Sequence, residues 1–560
     1  MRAMRLKAGK ILATGLGPFP SRRINSGRAG QEAQRSTCLQ QALTNSKEET
    51  VTVNLLNSLS RIQQPKIMVL GDLMLDQYTW GTTNRTSQEA PVMVLQVQKR
   101  EHRLGGASNV CHMLQVLGSN VTCAGVIGAD AAGKTLIELL AAADINTELV
   151  LQCEERLTTQ KERFVGNSGS GLPGQLLRVD TEATTAISPQ IEQRLIEGLI
   201  RALPGHDALL ISDYAKGACT EKCVQAAIHA AKDAEIPILV DPGRCRDFSI
   251  YRHATLIKPN RTETEEATQS GMEHPEDAMQ AGKKLCQQYD FEMAVITLDA
   301  DGMALVPSDG AGEVYSTKAR SVFDITGAGD MVLSVLGLCL GSGLPPEESV
   351  QLANIAAGIV VDRTGVCTIL RDEIRSELTA QRNSLRKQVT LDQAAQFAEE
   401  SRRRGQRVVF TNGCFDLLHV GHVTYLEEAA SHGEALIVGV NSDTSVRRLK
   451  GPQRPIISEE DRVAMLASLA CVSRVIIFDE DTPHQMLQRI QPDVLVKGGT
   501  YQPHEVVGRE VVESYGGRVS VTRVLDGVST TRIVESLSSP GQKPSKTRSS
   551  ISPGRLRHAS

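Results

Sequence analysis

The chain has 560 residues, 41% of them hydrophobic and 22% charged, with a net charge of −4. That length suits two large α/β domains or several average ones, and the slightly acidic balance argues against nucleic acid as the main partner. Aromatic residues make up 3% with a single Trp, too few for base-stacking platforms, and no apolar run reaches the roughly 18–20 residues of a membrane span. The twelve cysteines are scattered without a CxxC pair. They read as reduced, mostly buried thiols of a cytoplasmic protein.

Residues 1–62 are expected to lie outside the folded domains. Before Glu32 there are seven Lys/Arg and no acidic residue. A transit peptide, a disordered extension and an over-extended start all share that composition; disorder is the favoured reading. The absence of a sustained apolar segment argues against a secretory signal.

From Pro65 the chain alternates. KIMVLGDLMLD, VTCAGVIG, ALLISD, ILVD, ATLIKPN and MAVITLD are apolar strand-like runs, separated by helical stretches such as EQRLIEGLIRAL and CVQAAIHAAKDA. Strands spaced by helices predict a parallel sheet covered on both faces, over 63–378. Ligands in such folds sit at the carboxyl ends of the strands. The segments 86–104 and 158–166 are β-rich enough for a small lid.

The sharpest chemistry in this half is Asp324-Ile325-Thr326-Gly327-Ala328-Gly329-Asp330, followed by the apolar helix MVLSVLGLCLGSG. Gly327 and Gly329 let the backbone aim successive N–H groups at an anion. Asp330 then falls in the first helical turn, placed to accept a hydroxyl proton. Phosphoryl transfer needs positioning and charge stabilisation more than a strong base. A plain Gly-rich turn with a capping Asp is the alternative.

With these residues the segment 65–375 resembles the ribokinase (PfkB) family of sugar kinases. Gly71-Asp72-Leu73-Met74-Leu75-Asp76 is similar to the family's first strand, and Gly105-Gly106-Ala107-Ser108-Asn109 to its substrate-side Gly-Gly motif. Asp213-Tyr214-Ala215-Lys216-Gly217 matches DYxKG, and Asn260-Arg261-Thr262-Glu263 matches NxxE. The resemblance implies Asp330 as catalytic base and Gly327, Ala328 and Gly329 as the anion hole. It implies Asp72, Asp76, Gly105, Gly106 and Asn109 on the sugar. Asn260, Arg261, Thr262, Glu263, Thr297 and Gly302 would serve ATP and its Mg²⁺, with no dedicated metal site. Asp241-Pro242-Gly243-Arg244 departs from the family's DPKG. Gly128 to Thr135 (GADAAGKT) matches the P-loop pattern GxxxxGK[ST], but the family's own GxDxxGxxL accounts for Asp130, Gly133 and Leu136. Asp299-Ala300-Asp301-Gly302 lacks the hydroxyl residue of a phosphatase DxDG, since Met303 follows.

Residues 379–404 read as a helical linker, with Thr390 as N-cap of LDQAAQFAEE. A second domain is expected over 405–537, and a Ser/Pro/Arg-rich disordered tail over 538–560. Its centre is FTNGCFDLLHVGHVTYL, where an apolar strand leads through a tight turn to His419-Val420-Gly421-His422 and a helix. Two His three apart share a helix face, at a helix end whose free N–H groups and dipole suit phosphate. Together they describe a triphosphate cradle.

These residues resemble the HxGH nucleotidyltransferases, the family of glycerol-3-phosphate cytidylyltransferase. The resemblance implies a Rossmann-like domain in which His419 and His422 stabilise charge on the α-phosphate and the leaving pyrophosphate. Asn412, Gly413, Cys414, Phe415, Lys450, Arg454, Lys497, Ser529, Thr530 and Thr531 would bind ATP. Thr500 stands where relatives often carry Asp.

The fusion of both halves resembles the bifunctional heptose kinase/adenylyltransferases of lipopolysaccharide core assembly. It implies phosphorylation of heptose 7-phosphate at O1 by Mg·ATP, then adenylylation of heptose 1-phosphate to ADP-heptose. A separate heptose bisphosphate phosphatase must act in between. The residues themselves leave other sugars or a CDP-linked product open, as well as one domain serving as a silent sugar-binding regulator. A homodimer through the lid, and a lid without a dimer role, both fit.

Overall fold

The computed structural model describes residues 48–167, 174–244, 246–317, 327–363, 367–499 and 502–522. The chain forms two compact units, one spanning Thr50–Asn383 and one from Ser384 onward. Both are α/β.

In the first unit the described residues form a nine-stranded sheet. From edge to edge its strands are Glu313–Tyr315, Met303–Pro307, Met293–Thr297, Leu256–Ile257, Ile238–Asp241, Ala208–Ser212, Lys66–Gly71, Asn120–Gly128 and Asn146–Cys153. Pairing is parallel from Met293–Thr297 through to Asn146–Cys153, and the last two strands on the other side turn antiparallel. The strand Lys66–Gly71 is buried throughout after its first residue. Its alternate side chains feed two cores: Ile67 and Val69 join one apolar layer, Met68 and Leu70 the other. Continuous apolar runs in this half therefore mark strands covered on both faces.

A second sheet of four strands is the expected lid, ordered Met93–Gly106, Leu73–Thr86, Thr159–Asn167, Gly174–Thr181. It recruits more chain than the two segments singled out from sequence. Leu73–Thr86 runs straight on from the first strand's motif and pairs with both Met93–Gly106 and Thr159–Asn167.

Two boundaries differ from expectation. Residues 48–61 form a helix, and Leu55, Leu59 and Ile62 are buried in the first unit's core; the expected disorder of 1–62 does not extend to this stretch. Its apolar positions recur at helical spacing, but the basic, unpatterned sequence before it hides them. Arg371 fixes the following turn by donating to the carbonyls of Ile62 (2.9 Å) and Gln63 (2.8 Å). The helix Leu391–Arg403, expected as linker, packs Ala394 and Ala398 beside Val408 and Phe410 in the second unit's core. Thr390 caps it as expected, accepting from Gln393 N at 3.3 Å.

The second unit holds a parallel sheet ordered Arg474–Phe478, Ala435–Asn441, Val408–Gly413, Val494–Gly498, Arg518–Thr522. From Val408–Gly413 the next two strands are added on one side of the sheet and the last two on the other, so the order reverses at this strand. Such a switch point opens a crevice at the strand's carboxyl end.

Candidate active sites

Asp330 lies in the first turn of the helix Ala328–Gly341, capped by Gly327 at φ 84°. That left-handed conformation costs a residue with a Cβ far more than glycine. The carboxylate is buried and both oxygens are held: Tyr214 Oη donates to Oδ1 at 2.7 Å and Asn109 Nδ2 to Oδ2 at 2.6 Å. Burial pushes its pKa up, and these two hydrogen bonds pull against that rise. Asp324, Ile325 and Thr326 lie outside the described residues.

The Gly-Gly motif has a steric reason. A Cβ on Gly105 would sit 2.8 Å from Asp76 Cγ, and Gly106 takes φ 54° to open the next helix. Asp76 pairs with Arg163 at 3.0 Å, a lid residue not singled out from sequence. Lys161 stands on the same strand, 5.3 Å above the Tyr214 ring, and burial lowers its pKa.

Asp72 is used differently from Asp76. Its oxygens accept from the backbone N–H of Tyr214 (2.9 Å), Lys216 (2.9 Å) and Ala218 (3.1 Å). The DYxKG loop is thus built on Asp72, which fixes where the Tyr214 phenol points. Asp213 is similarly committed, accepting from Ala215 N, Tyr251 Oη and Arg246.

On the nucleotide side Asn260 and Glu263 form a reciprocal capping box at the helix Arg261–Thr268, a reason for NxxE spacing in addition to any ligand. Asn260 bridges to Thr297, bringing the motif beside that strand's end. Thr262 is exposed. Arg261 turns to protein partners, donating to Met272 O (3.1 Å), Leu298 O (3.3 Å) and Asp301 Oδ2 (2.6 Å). Asp299–Asp301 form a short 3-10 turn and Gly302, at φ 102°, reverses the chain into the next strand.

The P-loop lookalike is closed from within. Asp130 caps its own helix through Gly133 N (2.8 Å) and accepts Thr158 N (2.8 Å) and Oγ1 (2.7 Å). A carboxylate takes the donors that an anion would need.

In the second unit His419 is the N-cap of the helix Val420–Ala430 and His422 its third residue. The rings stack with centroids 3.9 Å apart, and His419 N lies 3.4 Å from His422 Nδ1. Phe415, at φ 48°, presents its ring to His422 at 5.6 Å. Burial, with the charges of His419 and Lys450, pulls His422 down to about 4, and burial lowers His419 too. Both imidazoles are therefore neutral near pH 7 and offer N–H donors. Nδ1 of His419 is buried with no hydrogen-bond partner among the described residues.

Lys497 reaches across from the adjacent strand to Asn412 O (3.0 Å) and Oδ1 (2.9 Å), and burial brings its pKa to about 8. Gly413 and Cys414 complete the strand exit. Lys450 is exposed at the end of its helix. Arg454 pairs at 2.5 Å with Asp416, which also accepts Ile456 N at 2.6 Å. Ser529, Thr530, Thr531 and Thr500 lie outside the described residues.

Sequence reasoning missed three charged side chains here and in the first unit. Asp416 is buried and holds Arg454 and the backbone N–H of Ile456. Arg462, fully buried, donates to Ile457 O, Cys414 O, Asn441 O and Asp443 Oδ1. Lys258 is buried beside Asp241 at 2.9 Å. The available signal was the same each time: a charge set within an apolar or turn segment otherwise destined for the interior.

Fold and sites define a class, a carbohydrate kinase joined in one chain to a nucleotidyltransferase. The profile of the pfkB family carbohydrate kinases matches residues 64–373, and the cytidylyltransferase-like profile matches 410–536. "Bifunctional protein HldE" of Syntrophotalea carbinolica is 43% identical over 483 residues, covering 86% of this chain and 97% of that protein. The protein of the same name from Geobacter metallireducens is 43% identical over 471 residues, covering 84% of this chain and 95% of its own length. The chain belongs to this bifunctional HldE family. Among solved structures, Escherichia coli phosphofructokinase-2 in complex with fructose-6-phosphate aligns at 20% identity, with 57% of this chain and 99% of that chain covered and a TM-score of 0.48. No helix of the described residues is long and apolar enough to cross a membrane.

Proposed function

We propose that the first unit phosphorylates heptose 7-phosphate at O1 with ATP, and that the second joins AMP from ATP to heptose 1-phosphate, giving ADP-heptose and pyrophosphate. The observation that carries this reading is the pairing, in one chain of this family, of a buried carboxylate held by Tyr214 and Asn109 with a stacked imidazole pair at a helix N-terminus.

In the kinase half Asp330 takes the proton of the sugar O1 hydroxyl as O1 attacks the γ-phosphorus. The β–γ bridging P–O bond breaks and ADP leaves. The amides of Gly327, Ala328 and Gly329 face the charge on the transferring group. Asp72 acts through the DYxKG loop, as a positioning residue, while Asp76, Gly105 and Asn109 shape the sugar pocket. The cations Lys161 and Arg163 beside Asp76 suit a sugar that already bears a phosphate. Glu263, a hard oxygen donor at the nucleotide side, fits a Mg²⁺ that shields the ATP phosphates. Asn260, Thr262, Thr297 and Gly302 form the wall behind it, and Arg261 anchors that wall.

In the transferase half a phosphate oxygen of the sugar 1-phosphate attacks the α-phosphorus of ATP and pyrophosphate leaves. His419 and His422 donate N–H to the oxygens where charge grows, and Lys450, Arg454, Lys497 and the hydroxyls of Ser529, Thr530 and Thr531 hold the phosphates. Neither step removes the 7-phosphate, so a separate phosphatase works between them. Both reactions use ATP and soluble sugar phosphates, so this reading carries a cytoplasmic location, with a kinase domain close to residues 50–383 and a transferase domain after it.

Mass spectrometry of products from heptose 7-phosphate and ATP tests the reading. The bisphosphate is expected alone, and ADP-heptose once a heptose bisphosphate phosphatase is added. Absence of the bisphosphate, with another sugar phosphorylated instead, overturns the substrate assignment.

A further inference from the structure

Lys258 is a buried cation at a place where stability alone gives little reason for one. It follows the strand Leu256–Ile257, its side chain is 4% exposed, and its Nζ lies 2.9 Å from Asp241 Oδ1. Asp241 ends the neighbouring parallel strand, with Val240 in register with Ile257. Both charges thus stand at the carboxyl ends of adjacent strands, where α/β sheets take their ligands. Desolvating such a pair offsets most of its mutual attraction.

The orientation of the ammonium supplies the reason. A Cβ built on Gly329 would lie 3.6 Å from Lys258 Nζ. The ammonium therefore stands beside the Gly327–Gly329 turn, whose amides the kinase reading sets against the transferring phosphate. The surrounding groups are acidic: the charges of Asp330 and Glu263 both reach Asp241, and Lys258 in turn favours the ionised form of Asp330. Three carboxylates around a triphosphate would repel it. Arg244, from the departed DPKG segment, is exposed.

We propose that Lys258 is a catalytic cation of the kinase half, held by Asp241 so that its ammonium meets the transferring phosphoryl group above Gly329. It gives up no proton; it neutralises charge on the phosphoryl oxygens while O1 bonds to phosphorus, the proton passes to Asp330 and the electron pair of the broken P–O bond leaves with ADP. This rests on the kinase reading of the Asp330 site.

The test uses the full chain with Lys258→Met, Lys258→Arg and the double change Lys258→Met/Asp241→Asn, which removes both charges and leaves neither buried alone. Sugar phosphorylation, pyrophosphate release by the other half, and thermal unfolding are measured on each preparation. Expected is a fall in phosphorylation kcat of about 10²–10³-fold in Lys258→Met and in the double variant, the size seen on removing one preorganised donor to a transition state. The sugar KM should move far less, Lys258→Arg should recover part of the rate, and pyrophosphate release should be unchanged. A double variant that unfolds with the wild type and turns over within threefold of it overturns the proposal and leaves the pair a structural one. Equal loss in Lys258→Met with full recovery in the double variant overturns it too. If the wild type itself fails to phosphorylate the sugar, the function assignment falls and not the role of Lys258.

Discussion

The phenol of Tyr214 donates to Asp330 Oδ1 at 2.7 Å, and the loop that carries Tyr214 is itself suspended from the buried carboxylate of Asp72. A hydrogen bond to a charged group contributes about 1.5–3 kcal/mol. This bond favours the ionised form of a base that burial otherwise drives toward neutrality. Tyr214→Phe should therefore raise the pKa of Asp330. The acid limb of the phosphorylation pH profile should move to higher pH, with pyrophosphate release untouched. An unmoved limb would show that Tyr214 does not act on the base.

Removing the base is a harsher change. Asp330→Asn should lower phosphorylation by about 10²–10⁴-fold, the usual span for general-base catalysis, while transferase activity in the same preparation persists. Unchanged sugar phosphorylation would remove Asp330 from the mechanism.

For the transferase the imidazoles carry a pH signature. With His422 held near 4 and His419 lowered from its ordinary value by burial, neither imidazole should give kcat/KM for pyrophosphate release a step at the usual His value near 6.5. On the alkaline side Lys497, charged below about 8, should lose its proton and the rate should decline above that value. Lys497→Met should abolish that decline along with most of the activity. His419→Ala should cost about 10²–10³-fold. A step in the wild-type profile near pH 6.5 would contradict the neutral-donor role.

Gly105→Ala tests the sugar pocket by crowding alone. The added methyl would stand 2.8 Å from Asp76 Cγ, pushing the carboxylate off its pairing with Arg163. The KM for the sugar should rise several-fold while the KM for ATP holds. The opposite split would place Asp76 on the nucleotide.

Arg462→Met addresses folding. It strips one guanidinium from three carbonyls and leaves the Asp443 carboxylate without it. Breaking a buried pair typically costs about 3–5 kcal/mol. The second unit should unfold at clearly lower temperature, by calorimetry, and sugar phosphorylation should survive.

Much of this was legible in the sequence because glycine-bearing turns and paired histidines sit next to the strands that position them. GAGD, Gly105-Gly106 and HVGH each have local geometry that only a few residue types satisfy. What stayed hidden depends on the tertiary fold. Asp72 and Asp76 lie four residues apart in one motif, yet one is spent on backbone amides and the other faces a lid arginine. Arg261 reads as a phosphate ligand but is drawn to Asp301, forty residues on. Lys258 reads as a strand-end lysine until Asp241 and Gly329 arrive from elsewhere. Pairing across a sheet leaves no trace in local spacing.

The helix over 48–61 has a practical side. Leu55, Leu59 and Ile62 are lodged in the kinase interior, yet the carbohydrate-kinase profile matches only from residue 64. A shortened protein trimmed to that similarity would expose a greasy stripe and aggregate, and its inactivity would say nothing about chemistry. Anyone separating the two halves for assay should keep this preceding helix attached.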